Sequence, residues 1–280
     1  MVPNTNLLLI IKLRAVAKVR KDHLSLLKNR LKLSSPFSVG SPFLELRQVE
    51  STNNYATGLI HAGMAQSGTA VFAHHQSKGK GQRHKQWQSE SGKNIAISVI
   101  LQPPRLEISQ SFRLSMATAL GVSQFFAHYA GSETSVKWPN DLYWRDRKAG
   151  GILIENIIQG SEWKAAIIGI GININQTAFD DLGTKAVSLK QITGKDYQLV
   201  QLAKELCDYL NQAYALLHAM PVELVEQYRK CLYKRDETVR LKQGTRVFDA
   251  IIKDVSELGE LIVQHATEER FGVGEVEWVR

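Results

Sequence analysis

The chain has 280 residues, 44% of them hydrophobic, and a formal net charge of +8. That length accommodates one large core with a smaller second one, and no run approaches the ~18 apolar residues that span a bilayer, so a membrane protein built on helices is excluded. Lys12, Arg14, Lys18, Arg20, Lys21, Lys28, Arg30 and Lys32 stand against Asp22 alone in residues 1–33, which puts nearly all the basicity in an N-terminal extension and leaves a body close to neutral.

Cys207 and Cys231 lie far apart in helical patterns, without metal-ligand spacing or a disulfide framework, as expected of buried thiols in a reducing, cytoplasmic compartment. Residues 1–42 read as a flexible basic extension that ends in a Ser/Pro/Gly linker over Ser34–Pro42. A transit-peptide-like leader is the alternative. A secretory signal is not expected, because Leu7–Ile11 is short and no small-residue cleavage site follows it. A winged-helix DNA-binding module needs roughly sixty residues, more than are available before the body begins.

From Phe43 the pattern becomes that of an ordered catalytic-sized domain, residues 43–234. Phe43–Val49 predicts a strand, Ser51-Thr52-Asn53 a cap and Asn54–Ala65 a helix. Strands are expected at Thr69–His75 and Asn94–Leu101, and Ser109–Tyr129 has helical spacing. Strands over Ser135–Trp138, Gly151–Asn156 and Lys164–Asn175 follow, then packing helices over Tyr197–Met220 and Pro221–Leu232. Residues 235–280 change character. Short alternating segments at Glu237–Leu241, Arg246–Val255, Glu260–His265 and Gly274–Val279, separated by Gly-containing turns, predict a small all-β barrel docked on the main domain.

Three stretches carry chemistry. Lys137–Asn156 packs Pro139, Asn140, Asp141, Arg147 and Lys148 between apolar strands, which suits either a polar hairpin or a site for a charged ligand. Gln76–Trp87 holds Gly79, Lys80, Gly81, Arg83 and Lys85, so backbone N–H groups and cations can converge on an anion; a solvated basic loop has the same composition. It lacks the Gly-Lys-Ser/Thr of a P-loop. In Gly169–Asn175, glycines alternate with isoleucines, leaving one strand face bare for a flat ligand or for close strand–helix packing.

Taken in order, Glu50-Ser-Thr-Asn53, Gly79-Lys-Gly81 through Trp87, Lys137-Trp-Pro-Asn-Asp141 with Arg147-Lys148, Gly151-Ile-Leu-Ile-Glu155 and Gly169-Ile-Gly-Ile-Asn-Ile-Asn175 resemble biotin–protein ligase over roughly residues 43–280. The resemblance implies an α+β fold: a mixed or antiparallel sheet with flanking helices, a class II synthetase-like catalytic core, and an SH3-like C-terminal barrel. It implies biotin and ATP as substrates with Mg²⁺, a biotinyl-5'-AMP intermediate, and a lysine of a biotin carboxyl carrier protein as acceptor. It assigns catalysis to Lys148, Arg83 and Asp141. It assigns biotin binding to Ser51, Thr52, Gln76, Gly79, Lys80, Lys148, Gly151, Gly169 and Gly171, and the ATP and adenylate to Lys80, Gln82, Arg83, Trp87, Asn140, Asp141, Lys148 and Asn173. No carboxylate cluster marks a resident metal site, the short basic extension and near-neutral body oppose a DNA partner, and the lack of a long apolar run opposes a membrane one. The nearest rival is a lipoate– or octanoate–protein ligase or transferase of the same fold. A DNA-binding regulator and a noncatalytic biotin-binding module are the readings from other classes.

The glycine loop departs from the family's Gly-Arg-Gly-Arg-x-Gly-Arg pattern. Here it reads Gly-Lys-Gly-Gln-Arg-His-Lys, so Gln82 replaces a cation, Lys80 replaces a forked guanidinium with a point charge and His84 replaces a glycine. Losing a cation opposite the phosphate predicts that the protein releases biotinyl-adenylate faster than its Gln82→Arg variant. Equal release rates after single-turnover formation would contradict this.

Overall fold

The computed structural model describes residues 38–102, 106–179 and 185–279. The basic extension, up to residue 37, lies outside the described residues. Of the linker expected over Ser34–Pro42, residues 38–42 are described. Val39 is buried, and its N–H donates to Asn211 Oδ1 at 2.7 Å while Asn211 Nδ2 donates back to the Val39 carbonyl.

A seven-stranded mixed sheet forms the frame, in the order β1-β2-β3-β7-β6-β5-β4. Its strands are β1 (Phe43–Val49), β2 (Ala70–Gln76), β3 (Ile95–Leu101), β4 (Thr134–Lys137), β5 (Asp141–Trp144), β6 (Arg147–Gln159) and β7 (Glu162–Ile172). Only β1 and β2 run parallel; the other neighbours are antiparallel. All seven residues of β3 are buried, as a β-branched central strand covered on both faces requires.

One face is covered by helices α2 (Ser111–Ala130), α4 (Leu199–Ala219) and α5 (Pro221–Lys230), with the short α3 (Leu189–Thr193) beside them. Apolar residues at helical spacing, such as Leu202, Leu206 and Leu210, bury one stripe of α4. Gly121 lets α2 and α4 approach, since a Cβ there would stand 3.2 Å from the Leu210 side chain and the Tyr209 carbonyl oxygen. Burial pushes the Cys207 thiol on α4 up to about 12, which leaves it protonated and unreactive. Among the described residues the opposite face carries only α1 (Thr52–His61), whose Ala56 meets Val71, Ile100 and Ile167 in a second small core. Beyond the N-terminus of α1, that face is left open for a cavity.

Residues 238–279 form a five-stranded antiparallel sheet in the order β11-β10-β9-β8-β12, from β8 (Thr238–Gln243), β9 (Arg246–Val255), β10 (Leu261–Gln264), β11 (Glu268–Phe271) and β12 (Glu277–Val279). Its docking is specific. Trp138 Nε1 donates to the Gly259 carbonyl at 2.9 Å, and Arg229 pairs with Asp254 at 2.7 Å.

Four elements differ from expectation. Asp141–Trp144 is a strand rather than loop, and with β6 it makes a hairpin that turns at Arg145, a residue at φ 52°. Glu268–Phe271 is an unforeseen strand, while β12 is shorter than Gly274–Val279. The segment α3 was not foreseen; a capping box of Ser188 and Gln191 starts it and Gly194 at φ 73° ends it.

Gly259 sits at φ +90°, and a Cβ there would lie 2.3 Å from the Phe112 ring. Gly259→Ala is therefore expected to cost about 2–4 kcal/mol of stability, from backbone strain plus overpacking at the junction of the two sheets. Gly244 has φ +56° with nothing within 4 Å of its Cβ position, so Gly244→Ala should cost only about 1 kcal/mol. Denaturant unfolding that gives equal losses would show that the Phe112 contact does not hold the junction.

Candidate active site

A cavity of about 730 Å³ opens on the sheet face that α1 leaves bare. Register explains what reaches it. Gly151 pairs with Asp141 on one side and with Gly171 on the other, while Leu153 pairs with Gly169, so these residues share one face. Lys148, three positions from Gly151, would point to the opposite face of a regular strand. The β5–β6 ladder shifts between Leu142 and Tyr143, so that Leu142 faces Gly150, Tyr143 faces Lys148 and Ala149 is the extra residue. This bulge turns Lys148 onto the cavity face. There its Nζ meets Asp141 Oδ1 at 2.6 Å. Neither charge is fully withdrawn from water, with side-chain exposures of 29% and 25%, so the pair is poised for exchange with a ligand rather than locked in a dry interior.

The second wall is the N-terminus of α1. Ser51 is the N-cap but makes no side-chain capping bond, and it is buried beside Thr52 and Asn53. Gln76, at the end of β2, accepts the Thr52 N–H at Oε1 over 2.7 Å, and the Thr52 hydroxyl lies 3.0 Å from the same oxygen. The wall is therefore rich in oriented hydrogen-bonding groups, with uncommitted capacity at a helix N-terminus.

The glycine loop closes the third side. The Gly81 N–H bonds the Lys85 carbonyl, the Trp87 N–H bonds the Gly79 carbonyl, and Arg83 takes φ 52°. Lys80 reaches down to Glu155 Oε1 at 3.3 Å. Arg83 leans toward the small sheet, where a Cβ on Gly274 would stand 2.6 Å from its guanidinium and Glu277 lies 4.0 Å away. The small sheet thus supplies wall as well as support. Val276, Glu277 and Trp278 line the cavity, and Lys137 Nζ sits 4.7 Å from the Trp278 ring and 5.0 Å from that of Tyr143.

Of the residues singled out by sequence, Ser51, Thr52, Gln76, Lys80, Gln82, Arg83, Trp87, Asn140, Asp141, Lys148, Gly151, Gly169, Gly171 and Asn173 all border this one cavity. Gly79 does not border it. A Cβ there would stand 2.3 Å from the Trp87 carbonyl oxygen, so the glycine serves the loop's own closure. Two amides are committed to backbone. Asn140 Nδ2 donates to the Ile152 carbonyl at 2.6 Å and Asn173 Nδ2 to that of Val187 at 3.2 Å. The strand face expected to be bare is occupied by protein. Asn53 Oδ1 stands 2.4 Å from the Cβ position of Gly169, and the Trp87 ring stands 2.4 Å from that of Gly171. Close strand–helix packing is thus the reason for glycine at 169. Sequence reasoning missed the polar chain behind the Thr52 wall, buried at Asn53 and Ser98 and half-exposed at Glu155, although Asn53 and Glu155 fall inside the motifs. It also missed Lys137 as a lining residue and the contribution of Trp278.

The family model for the biotin/lipoate A/B protein ligase family matches residues 45–173. Among curated proteins, the bifunctional ligase/repressor BirA of Bacillus spizizenii is 37% identical over 150 residues, 52% of this chain and 46% of that protein. The BirA of Bacillus subtilis is 36% identical over 47% of this chain and 41% of its own length. The chain therefore matches under half the length of these relatives. The biotin–[acetyl-CoA-carboxylase] ligase of Paracoccus denitrificans is 28% identical over 78% of this chain and 92% of its own length. Among solved structures, biotin protein ligase from Aquifex aeolicus in complex with biotin and ATP superposes with a TM-score of 0.72 at 25% identity, covering 85% of this chain and 98% of that one.

The Trp87 indole N–H is buried without a hydrogen-bond partner among the described residues, so its seat on Gly171 carries a desolvation cost. Gly171→Ala should expel the ring, which predicts altered tryptophan fluorescence and faster proteolysis within residues 79–87. Unchanged emission and cleavage would mean that Gly171 does not hold the loop.

Over residues 45–173 the chain matches the biotin/lipoate A/B protein ligase family model, and its frame is similar to that of the Aquifex aeolicus biotin protein ligase.

Proposed function

We propose that the chain is a biotin–[acetyl-CoA-carboxylase] ligase, which joins biotin to a lysine of a biotin carboxyl carrier protein at the expense of ATP. The observation that carries this reading is the Lys148–Asp141 pair, turned by the bulge into a cavity whose opposite wall is a buried array of hydroxyls and amides.

In the first step a biotin carboxylate oxygen attacks the α-phosphorus of ATP, forming a P–O bond as pyrophosphate leaves. Lys148 lies where a carboxylate entering between it and the Thr52 wall would exchange with Asp141. Its ammonium then offsets charge gathering between carboxylate and α-phosphate, and removing such a donor typically costs about 3–4 kcal/mol in the transition state. Mg²⁺ is proposed as part of the nucleotide substrate. In the second step the carrier's lysine amine attacks the acyl carbon, AMP departs and the amine loses a proton. Asp141 is the carboxylate placed beside that point. Lys80, Gln82 and Arg83 belong to a loop that covers the adenylate and keeps water out. The small sheet, an SH3-like lobe in this reading, completes the cover through Trp278 and the contact to Arg83. Free, buried Cys207 is compatible with the cytoplasm as the working compartment.

A lipoate or octanoate ligase is disfavoured by the same wall. Ser51, Thr52 and Asn53 are each at most 3% exposed and Thr52 is hydrogen-bonded to Gln76, a polar surface suited to a cyclic urea rather than to a dithiolane or alkyl tail. ATP–pyrophosphate exchange should be stimulated by biotin and not by lipoate. Lys148→Ala should lower the exchange rate by about 10²–10³-fold while biotin still binds. Equal stimulation by lipoate, or exchange untouched by Lys148→Ala, would overturn the reading.

A further inference from the structure

Behind the Thr52 wall, five side chains from four elements form one continuous hydrogen-bonded chain, and its proton count settles the polarity of the cavity. Asn53 Nδ2 donates to Glu155 Oε2 at 2.7 Å. A carboxylate without a proton can only accept, so the amide must present its nitrogen to Glu155 and its oxygen to the other side. That oxygen lies 2.5 Å from the Ser98 hydroxyl, which must therefore donate to it. Ser98 has no second proton. The Thr52 hydroxyl lies 2.7 Å from Ser98 Oγ and 3.0 Å from Gln76 Oε1. The latter atom is fixed as the amide oxygen by the Thr52 N–H. Because Ser98 gives its proton to Asn53, the 2.7 Å contact between the two hydroxyls needs the one proton of Thr52, and none is left for a ligand.

We propose that Glu155 is a positioning residue that fixes Thr52 Oγ1 as an acceptor toward the cavity and so selects a ligand that donates an N–H there. The inference rests on the biotin reading and deepens it. A cyclic urea offers two N–H donors, whereas an oxygen, sulfur or methylene at the same place would face a lone pair without a proton between them, a penalty that sites built for a donor enforce strongly. Glu155 stands at the root of the chain because it alone dictates the amide orientation of Asn53. Lys80 Nζ, 3.3 Å from its other oxygen, ties the glycine loop to the same carboxylate. Gly169 provides the room, since a Cβ there would stand 2.4 Å from Asn53 Oδ1.

The test compares biotin with its isosteric cyclic carbamates, in which one or the other ureido N–H is replaced by oxygen, by calorimetry on the full chain and by KM and kcat of ATP–pyrophosphate exchange. The wild type should bind biotin at least about tenfold more tightly than one of the two carbamates, the ratio expected for one misplaced donor. Glu155→Ala frees the Asn53 amide to turn over. It should narrow that ratio several-fold, through the KM for biotin rather than kcat. Glu155→Gln keeps an oxygen for Asn53 and should recover most of the preference, although it loses the charge facing Lys80. If Glu155→Ala does not fold, Gly169→Ala disturbs the Asn53 amide from the other side and should narrow the ratio in the same way. Equal losses in the alanine and glutamine variants would assign the effect to the Lys80 ion pair and overturn the proposal, as would an unchanged ratio. A folded wild type that binds no biotin would remove the functional reading and the proposal with it.

Discussion

Lys148 and Asp141 meet in the cavity because β6 carries one residue more than β5 between Lys148 and Gly151. Ala149 is that residue. Without the bulge, the side chain of Lys148 would turn to the face covered by α2 and α4, where burial would cost a cation its hydration. The bulge itself is held from outside the hairpin. The Asn173 N–H bonds the Ala149 carbonyl at 2.8 Å and the Val187 N–H bonds that of Lys148 at 2.9 Å. The segment after β7 therefore clamps the extra residue, and Asn173, whose amide also bonds Val187, is best understood through this clamp.

Around that pair, the cavity is shaped by how closely other groups approach the sheet. Glycines at 169 and 171 leave space, but the protein itself uses it, with Asn53 on one and the Trp87 ring on the other. The first, buried itself, is hydrogen-bonded on both sides of its amide, to Glu155 and Ser98. The second leaves an indole N–H without a partner among the described residues, so the two fillings differ in kind. Asn53 belongs to the fixed wall, and Trp87 belongs to the glycine loop that closes the third side of the cavity. The small sheet takes part in both. Trp138 fastens it to the frame through Gly259, and its Val276 and Trp278 close the cavity on the side away from α1.

Much of this was legible in the sequence because the chemistry-bearing residues cluster in short motifs. The periodicity of β3 and of α4 is plain, and Lys148, Asp141, Thr52 and Gln76 stand in runs that mark them. What stayed hidden depends on pairing across distance. The bulge at Ala149 is a property of the β5–β6 register, and nothing in Arg-Lys-Ala-Gly-Gly announces which glycine faces Asp141. Ser98 reads as a polar interruption in a strand; only the structure brings it to Asn53, 45 residues earlier, with Glu155 a further step away. The strands Asp141–Trp144 and Glu268–Phe271 are four residues long, too short to show alternation. Trp278 was unreadable as cavity wall because its role depends on how one sheet docks on another.

The most direct measurement is the mass of a biotin carboxyl carrier domain after incubation with this chain, biotin, ATP and Mg²⁺. The account predicts that the carrier gains one biotinyl group on a single lysine, that the gain requires ATP, and that it disappears when Lys148→Ala replaces the wild type. A carrier that stays unmodified with the wild-type chain, or that is labelled equally by the Lys148→Ala variant, would contradict the central claim.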